Sequence, residues 1–396
     1  MPGGAILVAA LLSLLQGELG YTVGAGAEVR GAKLESGRGA SATTTEQLQV
    51  DVAPQLRLEY LAAALTASAD YQPRLWWDRS SDQLSVVHRA TFGLTAAPSR
   101  ALRLRGSFAG SYGYQDVLTP ATPGPGPVQP VARATRLYQE SGEATLAADL
   151  SGLRNLQLSL GVGFIASGGA NAAARVLTPL QYGPRATLAA AWRVDARDTL
   201  TTDVSWDQRT FEVGQVDPAT PATAPAPVWY AVASEVWTHL LGPTLTTRLG
   251  AGGAVASGGG GLTPAGEASL AWAHRSGWTL RGGGRLSPFV DPLTAQVYSL
   301  ADASLSVNGP VASWLGLGLE AGGGVATSGP QRDQVTFRGE ARATLQLGAG
   351  FTISPGARVA VQNAPSRDAG ATAVAAPDLT LWTAYVALAW SRHGNL

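Results

Sequence analysis

Cysteine is absent from all 396 residues, so the chain carries no disulfide, no thiolate metal site, no cysteine nucleophile and no cysteine-linked lipid anchor. Lysine is almost absent as well. Lys33 stands alone, and without a basic cluster a nucleic-acid partner is excluded. Charged residues make up 14% and cancel to a formal net charge of zero, whereas soluble domains carry roughly 25%. Long apolar runs are missing too. The longest, AILVAALLSLL at 5–15, falls short of the about 20 residues that a membrane-spanning helix needs. Its position fits the apolar region of a secretory signal peptide, with a leader at 1–20 and the mature chain at 21–396. It departs from that pattern in having no Lys or Arg before it and no clean small-x-small site before Tyr21.

What the chain has is alternation. From 48 to 60 the even positions Leu48, Val50, Val52, Pro54, Leu56, Leu58 and Tyr60 are all apolar, and Gln49, Asp51, Gln55, Arg57 and Glu59 sit between them. After LAAA (61–64) the pattern resumes in opposite parity. Leu65, Ala67, Ala69, Tyr71, Pro73, Leu75 and Trp77 alternate with Thr66, Ser68, Asp70, Gln72 and Arg74. A period of two over thirteen residues describes a long strand with one apolar and one polar face, against the about 5–6 residues of an ordinary strand. Folding about positions 62 and 63 pairs Tyr60 with Leu65, Pro54 with Tyr71 and Leu48 with Trp77, so apolar faces apolar throughout. Such hairpins are the unit of a transmembrane β-barrel, apolar toward lipid and polar toward the lumen.

The same reading predicts eighteen strands, with sixteen as the alternative. They run at 21–33, 47–60, 65–77, 84–96, 102–114, 134–150, 156–166, 179–193, 199–213, 228–240, 244–256, 265–274, 278–290, 295–307, 311–326, 334–347, 351–362 and 379–391. Connections alternate between short (61–64, 97–101, 151–155, 194–198, 241–243, 275–277, 308–310, 348–350) and mostly long (34–46, 115–133, 167–178, 214–227, 363–378). Outer-membrane barrels show this alternation, with short turns in the periplasm and long loops outside. The predicted fold class is all-β: a single transmembrane antiparallel β-barrel in the outer membrane of a Gram-negative bacterium. Folding about Gly348–Gly350 pairs Leu347 with Phe351 and Leu345 with Ile353, and sets Glu340 opposite Arg358.

Aromatics gather at strand ends. Tyr21, Tyr60, Trp192, Trp278, Phe351 and Trp390 lie near short turns, and Trp77, Tyr114, Tyr182, Trp206, Trp229, Tyr230 and Trp382 near long loops. Two aromatic girdles at the membrane interfaces follow, with Tyr21, Tyr60, Trp77, Trp192, Trp278, Trp382 and Trp390 as their markers. The Pro- and Thr-rich stretches 118–132 and 217–227 cannot pair as strands and are expected to be mobile surface loops.

Catalytic chemistry finds little footing. His88 falls in the apolar parity beside Val86 and Ala90, with no serine of that parity in its strand. His239 and His274 lie near short turns and His393 in the tail. The glycine-rich stretches 161–169 and 257–261 lack the Lys-Ser/Thr ending of a phosphate loop. No His or carboxylate cluster has metal-ligand spacing. No enzymatic role, cofactor or metal is expected. The polar parity remains, and the expected lumen lining is Asp51, Arg57, Glu59, Asp70, Arg74, Arg103, Arg105, Arg338, Glu340, Arg342 and Arg358. On the lipid face a midplane Arg costs about 2–4 kcal/mol, which directs this parity inward. Barrels of 16–18 strands leave an aqueous channel. Mixed signs argue against strong selectivity for small ions.

Tyr71, Pro73 and Arg74 close one strand, His88 and Arg89 sit in the next, and Ser111, Tyr112 and Gly113 end a third. Over 69–116 this order resembles the integral outer-membrane barrels of myxobacterial surface-polysaccharide export. That resemblance implies an 18-stranded barrel working with a separate periplasmic export protein and conducting a polysaccharide chain. The alternatives are a porin for small polar solutes and, in another class, a structural or adhesive surface barrel or a lipid-modifying barrel enzyme.

Overall fold

Strands form wherever the two-residue alternation runs, and they join in chain order into one closed antiparallel sheet. The computed structural model describes residues 17–36, 43–79, 82–116, 136–214, 224–257, 261–290, 295–327, 335–363 and 378–395. The first strands are β1 (Glu18–Ser36), β2 (Thr43–Ala62), β3 (Leu65–Tyr71, continuing as Arg74–Asp78), β4 (Gln83–Ala96), β5 (Leu102–Asp116) and β6 (Arg136–Leu153). Then come β7 (Leu156–Gly169), β8 (Leu180–Arg193), β9 (Asp198–Glu212), β10 (Val228–Gly242), β11 (Leu245–Ala256) and β12 (Thr263–Ala273). The last are β13 (Thr279–Val290), β14 (Val297–Ala312), β15 (Leu315–Ala326), β16 (Val335–Gly348), β17 (Phe351–Gln362) and β18 (Leu379–Asn395). The barrel closes where β1 pairs with β18, from Gly20 opposite Asn395 to Ser36 opposite Leu379. The count is therefore eighteen, as the alternation predicts, and not sixteen.

The opening hairpin folds in a different register. Its turn is Ala63–Ala64, and Ala62 lies opposite Leu65, Tyr60 opposite Ala67, Leu56 opposite Tyr71 and Val50 opposite Trp77. Each pair is displaced by two residues from the expected one. Because side chains alternate with period two, a two-residue slip preserves both faces, and apolarity alone cannot tell the registers apart. The hydrogen-bond ladder lapses between the Leu56–Tyr71 and Val52–Leu75 pairs, where Pro54 and Pro73 lie. Neither proline has an N–H to donate, which explains the interruption of β3. At the other end Leu345 lies opposite Ile353 and Glu340 opposite Arg358, as expected. A register shift then sets Gly348, not Leu347, opposite Phe351.

One turn is misplaced by the sequence reading. Asn308–Pro310 reads as a turn, yet β14 continues through it and turns at Ser313–Trp314, so β15 starts at Leu315 rather than 311. Pro310 is accommodated beside a register shift, one of the few strand positions that tolerate a missing donor. A short helix, α1 (Ala172–Leu177), occupies the 167–178 connection, where no element was expected. Asn171 caps it through a 2.8 Å bond from the Ala174 N–H. Residues 1–16 of the expected leader at 1–20, the loop 118–132 and residues 217–223 of the second low-complexity loop lie outside the described residues, and β1 already begins at Glu18. Among the described residues no helix is long and apolar enough to cross a membrane.

The wall inverts the usual order of a protein. On β2, Gln49 and Asp51 are only 1% and 4% exposed while Val52 and Leu56 are 44% and 46% exposed. A soluble protein buries the second kind and exposes the first. Two small apolar clusters lie on the inner side at the long-loop end. Leu34, Leu379 and Leu381 form one, and Phe211, Val228, Val290 and Ala295 the other.

Candidate functional site

The interior of the barrel gathers the polar parity. Asp51, Arg57, Glu59, Asp70, Arg74, Arg103, Arg105, Arg338, Glu340, Arg342 and Arg358 all sit on the inward parity of their strands. They do not converge on one point. They form a belt of ion pairs around the inner wall.

The belt is densest at the seam between β1 and β18. Arg358 donates from Nε to Glu340 Oε2 at 2.9 Å, and its Nη1 lies 3.6 Å from Glu28 Oε1. Tyr385 donates its hydroxyl to Glu340 Oε1 at 2.6 Å, and the Arg358 guanidinium stands 4.1 Å over the Tyr385 ring. One strand on, Arg30 donates to Gln49 Oε1 at 2.7 Å and approaches Asp51 Oδ2 at 3.6 Å, while Arg74 closes on that same oxygen. Further round, Gln55 donates to Asp70 at 2.6 Å, Arg105 and Ser159 share Asp149 Oδ1 at 2.7 Å, and Arg185 pairs with Glu143 at 2.6 Å. On the opposite wall Arg248 meets Glu267 at 2.8 Å and Arg285 meets Asp302 at 3.5 Å. Each guanidinium presents a fixed fork of donors that fits a carboxylate, so the belt holds its side chains in order.

Five interior residues escaped the sequence reading: Glu28, Arg30, Trp76, Tyr230 and Tyr385. Glu28 and Arg30 stand among Gly24, Ala25, Gly26 and Ala27, which blur the parity of β1. Tyr385 lies where both parities of β18 are apolar, and only its pairing with β17 reveals its side. Trp76 is 3% exposed and donates to the Tyr114 carbonyl at 3.2 Å. Tyr230, read as part of a girdle, lies opposite buried Asp207 and faces inward. The physical reason is the strand's parity, which is strict where proximity to a strand end is not.

The outer wall carries most of the sequence-predicted girdle aromatics. Tyr21 lies opposite Leu58, Tyr60 and Trp77 keep the outward parity, and Trp192 and Trp382 are 52% and 54% exposed. Trp390 packs against Phe351 at 6.2 Å, and Trp278 lies in the turn before β13, against Gly309. His88 is outward, as expected, and its Nδ1 shares a 2.8 Å hydrogen bond with the Tyr71 hydroxyl. His239 pairs with Asp198 at 2.7 Å, His274 with Ser276 at 2.7 Å and His393 with Thr22 at 2.7 Å. Among the described residues no cluster of three metal-ligating side chains occurs. A carboxylate near the middle of a strand breaks the outward rule. Glu235 faces out from the middle of β10 and accepts a 2.6 Å bond from Thr202.

Fold and interior together define a transmembrane β-barrel of the outer-membrane class: apolar outside, charged and hydrogen-bonded within. The chain belongs to the EpsX exopolysaccharide export family, whose model matches residues 14–257. None of the curated proteins matches it. Among solved structures it is similar to Pseudomonas aeruginosa OccK7 (OpdD) at 12% identity and a TM-score of 0.48, covering 96% of this chain and 99% of that one. It is also similar to P. aeruginosa OccK5 (OpdH), at 12% identity and a TM-score of 0.46 over 93% and 98% of the two chains. OccK11 (OpdR) of the same organism gives 15% identity and 0.45 over 93% and 96%.

Proposed function

We propose that the barrel sits in the bacterial outer membrane and conducts a surface polysaccharide through its lumen. The observation that carries this reading is the composition of the inner wall in a chain of the exopolysaccharide export family. Guanidinium and carboxylate pairs ring that wall, and the Tyr230 side chain turns inward among them opposite Asp207. A sugar offers hydroxyls to the first and an apolar ring face to the second, so a chain of sugars can pass from contact to contact without any one holding it. The reading assigns the barrel no chemical step. A periplasmic export protein would deliver the chain to the short-turn end, and outer-membrane lipid would cover the apolar wall.

One observation favours the rival, a porin for small polar solutes. Ala295, at the end of the β13–β14 connection, is buried against Phe211, Val228 and Val290 on the inner side, as in barrels narrowed by an inward loop. Gene deletion separates the two. Loss of surface polysaccharide, restored by the intact gene, supports the conduit. Unchanged surface polysaccharide contradicts it.

A further inference from the structure

Ion pairing inside the barrel is uneven, and the surplus gathers in one place. A cavity of about 840 Å³ is lined by strands β1 to β4 and β12 to β18. Six arginines reach it (Arg30, Arg74, Arg89, Arg281, Arg338 and Arg358) against four carboxylates. Those carboxylates are already engaged. Asp51 takes Arg30 and Arg74, Glu340 and Glu28 take Arg358, and Glu320 lies 3.6 Å from Arg342. Arg338 is engaged as well, which leaves Arg89 and Arg281. Among the described residues neither makes a hydrogen bond or an ion pair through its side chain.

Their settings are unlike an idle surface arginine. Arg89 is half-buried, and the charges that act on it are Arg74, of like sign, and Asp51, which two other guanidiniums already share. A partly desolvated cation beside another cation is unfavourable until an anion completes the group. Arg281 reaches the same cavity from β13, with Ser306 directly opposite it and Asn308 two residues along. Guanidinium forks aimed at one space, with hydroxyl and amide groups beside them, match an acidic group carried on a polyhydroxylated ring.

We propose that this cavity recognises acidic sugar units, a ring carboxylate in the simplest case, so that the polymer conducted by the barrel is anionic. The inference rests on the conduit reading and adds the sign of the cargo. Arg89 and Arg281 are the binding residues. The paired arginines around them keep the field positive without offering a free fork.

Single-channel recording on the purified full chain in a planar bilayer tests it. Oligogalacturonate, a neutral galactan oligomer of equal length and monomeric galacturonate are added in turn. For the wild type, dwell times of the acidic oligomer should exceed those of the neutral one by about tenfold, the scale of one charge-assisted contact. In Arg89→Gln with Arg281→Gln the ratio should fall below about twofold, and in the wild type it should shrink in about 1 M salt, where screening acts within about 3 Å. Equal dwell times in the wild type overturn the acidic cargo and leave the conduit standing. Passage of the monomer with no blockade by either oligomer overturns both. A double variant that keeps the tenfold ratio overturns the assignment to these two residues. Should the variant not assemble, the wild-type reversal potential in a KCl gradient decides: anion preference supports the site, and cation preference overturns it.

Discussion

Arg358 holds two carboxylates at once, Glu340 at 2.9 Å and Glu28 at 3.6 Å, and covers the Tyr385 ring. Removing it leaves Glu340, only 7% exposed, with the Tyr385 hydroxyl as its remaining support. Breaking a fully buried pair costs about 3–5 kcal/mol. Because the Arg358 side chain is 32% exposed, the expected loss for Arg358→Met is smaller, about 2 kcal/mol. Urea unfolding in phospholipid vesicles measures it, and Arg358→Met with Glu340→Gln and Glu28→Gln should regain at least half, since neither carboxylate that Arg358 held is then left as an unpaired charge. Glu235 predicts the opposite sign. It stands on the outward parity between Trp237 and Trp229, both about 40% exposed, and a charge facing hydrocarbon is destabilising. Glu235→Leu should therefore raise unfolding stability by about 1 kcal/mol, and a loss instead would mean that this wall meets something other than lipid.

The element scale shows what alternation encodes and what it leaves open. Parity is legible wherever charged and bulky apolar residues alternate, as in β2, β3 and β16. It fades where both faces are small or apolar, as in β1 and β18, and there Glu28, Arg30 and Tyr385 were invisible. Register is a separate matter. The opening hairpin slips by two without exposing anything, so its pairing is settled by the Ala63–Ala64 turn and by the opposed Pro54 and Pro73. The final hairpin was legible because Gly348 and Gly350, at φ +84° and +81°, mark its turn by residue type. Ala349 between them is held at φ +51°, which an L side chain adopts at a cost. Ala349→Gly should stabilise the barrel by about 0.5–1 kcal/mol, read as a shift in urea midpoint. Gly113 carries the reverse prediction. At φ +140° an added Cβ would stand 2.2 Å from the Val86 carbonyl, so Gly113→Ala should destabilise by about 1–3 kcal/mol.

For the whole molecule, eighteen strands, alternating short and long connections and the inward belt of charge all follow from one repeated pattern. That pattern works because a barrel wall has only two sides, and each residue must choose one. Cargo is not written in it. Which guanidiniums remain unpaired depends in part on contacts between strands far apart in sequence, such as Arg358 with Glu28, and only the closed barrel brings these together. The central claim is that a polymer passes through the lumen, and efflux from proteoliposomes tests it most directly. Vesicles holding the purified full chain are loaded with labelled oligosaccharides of increasing length and with a folded protein as a leak control. The account predicts release of sugar chains far longer than a small-solute channel passes, with the protein retained. Release of mono- and disaccharides alone would contradict it.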